Sequence, residues 1–237
     1  MPLERAVTDE FILKKYLDLK LPTGRAVLQH AWEVGEAAAK LIRSHLHKSW
    51  GECPPVSIAE QIDQVMHAGL LYAAMDTCSM TFEGVCQVAS LEVARIVSDI
   101  SADVRLPEPQ RIRDRIGRIG GGGDGKLLPQ IVTLADMICT VRHYAQLLDQ
   151  EGGVPFELLE WIHRDLETRT DLLGALTQVR DSKLLDSWWI KTRNTIGETS
   201  ERCCKMMRAH QLQRRINERA QRETAQAGRT CRTKLKI

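Results

Sequence analysis

Apolar residues recur every three or four positions along most of this chain, and proline, glycine and charge make the breaks between them. From Thr8 the string TDEFILKKYLDLKL places Phe11, Ile12, Tyr16 and Leu17 on one helical face, with Thr8 or Asp9 as N-cap. LPTGR ends that helix. Val27, Ala31, Val34, Ala38 and Leu41 give the inner stripe of a second helix over Ala26 to His45. Ser57-Ile-Ala-Glu60 has the pattern of a capping box and opens a helix running through Met66 to Ala74. Ser79 to Ser101 reads as further helices, with Thr81 as a cap and Val93, Ile96, Val97 and Ile100 buried. LPEPQRIRDR (Leu106–Arg115) reads as a basic loop and Gly120 to Gly125 as a flexible one. Leu128 to Leu148 returns to helical period, its stripe being Ile131, Leu134, Ala135, Ile138, Val141 and Ala145, with Pro129 in the first turn. A further amphipathic helix follows GGVP, and Gly197 to Gly228 reads as a long polar one. The pattern is all-α, with a helical body over 1–180 and a basic helical extension over 181–237.

Charge sharpens that division. From Ile190 to Ile237 there are thirteen Lys and Arg against four Asp and Glu, while the rest holds twenty against twenty-seven, for a net charge of +2 overall. A mildly acidic body with a strongly basic tail implies an anionic partner: RNA, or an acidic protein surface. Arg208, Arg214, Arg215, Arg219 and Arg222 are the candidates for that contact. No apolar run reaches the ~18 residues needed to cross a bilayer, so no membrane partner is expected. The first residues have neither the apolar core of a secretory signal nor the acid-poor character of a presequence. The seven cysteines lack CxxC spacing, which argues against a disulfide framework and for a reducing compartment, cytoplasmic or mitochondrial matrix. His45, His47 and Cys53 share one loop but lack a fourth zinc ligand.

Chemistry concentrates between Gly69 and Arg142. GLLYAAMDT (Gly69–Thr77) carries Asp76, LPQIVTLADMICTVR (Leu128–Arg142) carries Asp136, and His30 lies upstream on an apolar stripe. Asp136 sits on the inner side of an apolar helix, where a carboxylate is costly unless paired, and His30 is its natural partner. GGGGDGK resembles a phosphate-binding loop only superficially, because Leu127 stands where Ser or Thr is required and no buried strand precedes it.

In order and spacing these segments resemble the HD-domain hydrolases of the RelA/SpoT-homologue family, especially the small stand-alone hydrolases of guanosine tetraphosphate. Asp76–Thr77 and Leu134–Asp136 set the register. The resemblance implies an all-α HD-domain bundle over roughly the first 176 residues. It also implies a site in which two histidines and two aspartates hold a Mn²⁺-like ion that activates water. His30 and Asp136 match two of those four ligands. The family's His-Asp pair falls on Leu71 and Tyr72, its acid/base glutamate on Met75 beside the retained Asp76, and its later asparagine on Thr140. Leucine cannot ligate, and tyrosine is not a usual ligand for a hard divalent ion. Lys14 and Lys15 occupy the place of a basic pair that stacks on guanine, and Arg111, Arg113 and Arg115 the place of a basic loop near the substrate phosphates.

The expectation is therefore a pseudoenzyme with no cofactor: a binding or scaffold subunit of a protein or ribonucleoprotein complex, with Asp76, His30 and Asp136 as vestiges. Two alternatives stay open. One is a live phosphohydrolase rebuilt around Mn²⁺ from His30, His67, Asp76 and Asp136, with His67 one turn from the lost histidine. The other is a sensor that binds a guanine nucleotide through Lys14, Lys15 and the Arg111–Arg115 segment without hydrolysing it.

Overall fold

Two glycines let a pair of helices cross closely. A Cβ on Gly69 would lie 2.7 Å from the Gly35 Cα, and one on Gly35 would lie 2.9 Å from the Met66 carbonyl oxygen. Gly35 belongs to α2 (Val27–Ser49) and Gly69 to α3 (Val56–Leu71). The missing side chains let the two backbones approach, and α2 and α3 form the most extensive helix pair.

The computed structural model describes residues 10–49, 56–121, 125–150 and 153–234, with side chains at 10–46, 58–121, 125–150 and 153–222. The expected caps Thr8 and Asp9, the middle of the glycine run, Cys53 and the side chains of His47, Ser57 and Cys231 lie outside this set. The chain is all-α: no strand forms among the described residues, only an isolated bridge between Lys20 and Ala26. That bridge closes the LPTGR turn, where Gly24 takes φ +83°.

Helix α1 occupies residues 10–16 and buries Ile12 and Tyr16 completely. Leu17, expected on the same face, is 65% exposed because the helix has ended and the chain turns there. The whole expected stripe of α2 is buried. α3 begins at Val56, one residue before the expected start. It ends at Leu71 instead of reaching Ala74, with a turn at Tyr72–Ala73 before the short α4 (Ala74–Thr77).

Thr81 caps α5 (Phe82–Val88), its hydroxyl accepting from the Gly84 N–H at 3.1 Å. Ser90 caps α6 (Leu91–Ile100) in the same way at 3.2 Å from Val93 N. The basic segment is not a loop. Pro107 precedes an α-helix, α7 (Glu108–Gly120), in which the charged residues alternate with Ile112, Ile116 and the buried Ile119 at helical spacing. Two prolines stand at its start and give it the look of a loop, but the first turn of a helix tolerates them.

α8 (Leu127–Leu148) runs through the centre, packed by α2, α3, α6 and α11. Most of its residues are buried, polar ones included. Gln130 shows how such a residue is satisfied: its amide donates to the Ile119 carbonyl at 3.1 Å, and its oxygen accepts from the Gln178 and Val179 N–H groups. It thereby ties the end of α7 to the start of α10 (Thr177–Asp181). α9 (Phe156–Ala175) packs on α7 and α8.

α11 is one continuous helix from Asp186 to Lys234, longer at both ends than the expected span. Its first half lies on α8 and α9 through Ile196, Thr199 and Cys203, all buried. Trp189 pins it, donating its indole N–H to the Leu173 carbonyl at 2.9 Å. From Arg208 to Arg222 every residue is exposed.

Candidate functional site

The buried polar centre is built on Asp136, half-way along α8. One carboxylate oxygen, Oδ1, lies 3.0 Å from His30 Nε2 and accepts from the Thr140 hydroxyl at 3.2 Å. The other, Oδ2, accepts from the Arg169 guanidinium at 2.8 Å. Arg169 extends from α9, and its Nε donates to Asp165 Oδ2 at 2.6 Å. The same Asp165 oxygen accepts from the Tyr144 hydroxyl at 2.7 Å. At the far end, one Arg25 amino nitrogen lies 3.2 Å from His30 Nδ1, and the other pairs with Glu33. Guanidinium can only donate, so Nδ1 must be the acceptor of the imidazole and Nε2 carries the proton given to Asp136. The result is a chain, Glu33–Arg25–His30–Asp136–Arg169–Asp165–Tyr144, crossing from α2 through α8 to α9 and back to α8.

Electrostatics follow the chain. Burial alone would raise the Asp136 pKa, but the Arg169 charge and the His30 bond outweigh it and hold the carboxyl far below the ordinary range. Burial likewise opposes the charge on Arg169, and Asp136 and Asp165 overcome it, so the guanidinium stays charged. Arg115 of α7 has no such bracing: burial lowers its pKa, and the Arg169 charge works in the same direction against the pull of Asp136.

Leu71, Tyr72, Met75 and Asp76 line the other side. Leu71 is fully buried in the apolar core. Tyr72 sets its ring edge-on to the His30 imidazole, with centroids 5.5 Å apart and planes at 78°. Met75 packs against the core. Asp76 turns instead to the backbone, accepting from Ala102 N–H at 3.0 Å. Desolvation pushes its pKa up, against that bond and the field of Arg115. His67 is half-buried on α3. Among the described residues, no three His, Cys, Asp or Glu side chains gather within reach of one metal ion, so His30, His67, Asp76 and Asp136 do not form a single cluster.

The anion candidates separate by helical register. Arg111 and Arg115, one turn apart on α7, line a cleft of about 270 Å³ together with Trp161, Arg164, Asp165 and Thr168 of α9. The Nε atoms of both arginines are buried without a hydrogen-bond partner, although Arg111 also donates to the Val104 and Leu106 carbonyls. Arg113 is exposed and does not line the cleft. Lys14 and Lys15 are exposed on α1. Arg208, Arg214, Arg215, Arg219 and Arg222 all belong to the exposed part of α11.

Arg169 was not among the residues picked from the sequence. Its only signal there is the i, i+4 pair with Asp165, which reads as an ordinary surface ion pair until α9 is seen to turn that face inward.

These helices form an HD-domain-like bundle. Among solved structures, the chain is similar to a metazoan orthologue of SpoT that hydrolyses ppGpp, with a TM-score of 0.57 over 82% of this chain and 95% of that one. Identity to that protein is 15%, so the likeness is one of fold. No family model and no curated protein sequence matches the chain.

Proposed function

We propose that this is a catalytically inactive HD-like domain that serves as a binding or scaffold subunit of a larger complex. The observation that carries the reading is the Arg169 guanidinium on Asp136 Oδ2. With His30 on Oδ1, both oxygens of the one aspartate aligned with a metal ligand are already engaged. A guanidinium supplies the positive charge that a divalent ion would bring, but it cannot lower the pKa of a bound water or activate it as a nucleophile. One imidazole, one engaged carboxylate, a leucine and a tyrosine, with a second guanidinium nearby, do not make a donor set for Mn²⁺. Met75 beside Asp76 leaves proton transfer without its second carboxylate. Binding then falls to the basic α11 extension, with a protein or ribonucleoprotein complex as the setting.

The structural neighbour hydrolyses ppGpp, so that nucleotide is the substrate to test. Purified protein should carry no stoichiometric metal by inductively coupled plasma mass spectrometry and should not turn over ppGpp with added Mn²⁺. Stoichiometric metal together with turnover that His30→Ala and Asp136→Ala abolish would overturn this reading in favour of a rebuilt hydrolase.

A second reading keeps nucleotide binding without hydrolysis, and the Arg111–Arg115 cleft favours it. Two guanidinium groups with unbonded Nε atoms beside Trp161 suit a phosphate-bearing aromatic ligand. Calorimetric titration with ppGpp, read beside the turnover assay, separates a sensor from a scaffold that has lost the site.

A further inference from the structure

The exposed part of α11 has two faces of different character. Leu212 and Ile216 are 59% and 52% exposed, one turn apart on a helix whose neighbouring residues are all polar or small. At 100° per residue, Arg208, Arg215, Arg219 and Arg222 fall within an arc of about 60° along one flank of that apolar ridge. Arg214 is on the opposite side, paired with Glu218 at 2.9 Å. The fifteen residues from Arg208 to Arg222 extend about 22 Å at the α-helical rise, and none is buried.

We infer that this arm docks an acidic amphipathic helix of a protein partner. Charge complementarity sets the sign, since a line of exposed arginines, whatever contacts they make along their own helix, attracts carboxylates on a partner. The ridge sets the class. Leucine and isoleucine side chains gain by leaving water for an apolar surface, whereas a phosphate backbone engages only the arginines and leaves the ridge wet. An apolar ridge flanked by one sign of charge is the arrangement by which paired helices select a partner of opposite charge. The inference extends the binding-subunit reading and rests on it for its biological sense. The arm lies outside the Asp136 centre, however, so its binding is measured separately from turnover.

The test uses the full chain and two fluorescent probes. One is a synthetic heptad peptide with Leu and Ile on its seam and Glu on its flanks; the other is a single-stranded RNA of equal charge. The peptide should bind by anisotropy at physiological salt with a Kd below about 100 µM. Leu212→Ser/Ile216→Ser and Arg215→Ala/Arg219→Ala should each weaken it tenfold or more. All four positions are exposed, and unchanged circular dichroism would confirm that the helix persists. Absence of peptide binding overturns the proposal, as does peptide binding indifferent to the Leu212→Ser/Ile216→Ser change. RNA binding that exceeds the peptide's and ignores that change overturns it in favour of a nucleic-acid arm.

Discussion

Arg169 of α9 reaches Asp136 of α8 at 2.8 Å, and the two side chains are only 14% and 6% exposed. Such a buried pair is costly to assemble and costlier to break from one side, because the remaining charge is stranded in a poorly solvated place. Arg169→Ala should therefore destabilise the fold by about 3–5 kcal/mol, read from the denaturant midpoint. Arg169→Lys should recover only part of that, since an ammonium cannot span Asp136 and Asp165 with the planar fork that guanidinium provides. A loss below about 0.5 kcal/mol for the alanine variant, the range of ordinary surface substitutions, would mean the contact is incidental.

The depressed Asp136 pKa has a pH signature with a definite sign. The folded state prefers the carboxylate, so its contribution is complete above the unfolded pKa of about 3.9 and is lost as pH falls from there towards the lower folded value. Stability should drop through the acid range with a slope of up to about 1.4 kcal/mol per pH unit from this one proton. Asp136→Asn should be less stable at neutral pH and should show a shallower acid limb. Parallel acid limbs in the two proteins would exclude Asp136 as the source.

Gly69 faces Gly35 so closely that a methyl group has no room, the nearest atoms being backbone. Gly69→Ala should push α2 from α3 and cost about 1–3 kcal/mol, despite alanine's better helix propensity. Gly174 is also helical but has nothing within 4 Å of its would-be Cβ. Gly174→Ala should stabilise through alanine's better helix propensity, so thermal midpoints of the two variants should move in opposite directions.

Arg115 separates folding from ligand binding. Its Nε is unbonded, burial disfavours its charge, and Arg169 repels it. Arg115→Met should leave stability unchanged or raise it. If the α7–α9 cleft binds phosphate groups, the same variant should lose roughly tenfold or more in affinity for ppGpp, as expected for a hydrogen bond to a charged group. A destabilised Arg115→Met protein would show that the guanidinium serves the fold.

The helices themselves were legible because burial imposes a 3.6-residue period: the stripes of α2 and α6 are buried as read, and the Thr81 cap forms. A buried carboxylate on an apolar helix announces its need for a partner, and His30 meets part of it at 3.0 Å. The other half comes from Arg169, thirty-three residues further along the chain and on another helix. Its charged i, i+4 pair looks the same from the sequence whether it faces water or the core. Local pattern also took α7 for a loop and could not say that Arg111 and Arg115 share a cleft that Arg113 does not. Periodicity and residue chemistry are properties of the chain alone. Which charge meets Asp136 depends on how α9 rotates against α8, and only the packing of the whole bundle sets that angle.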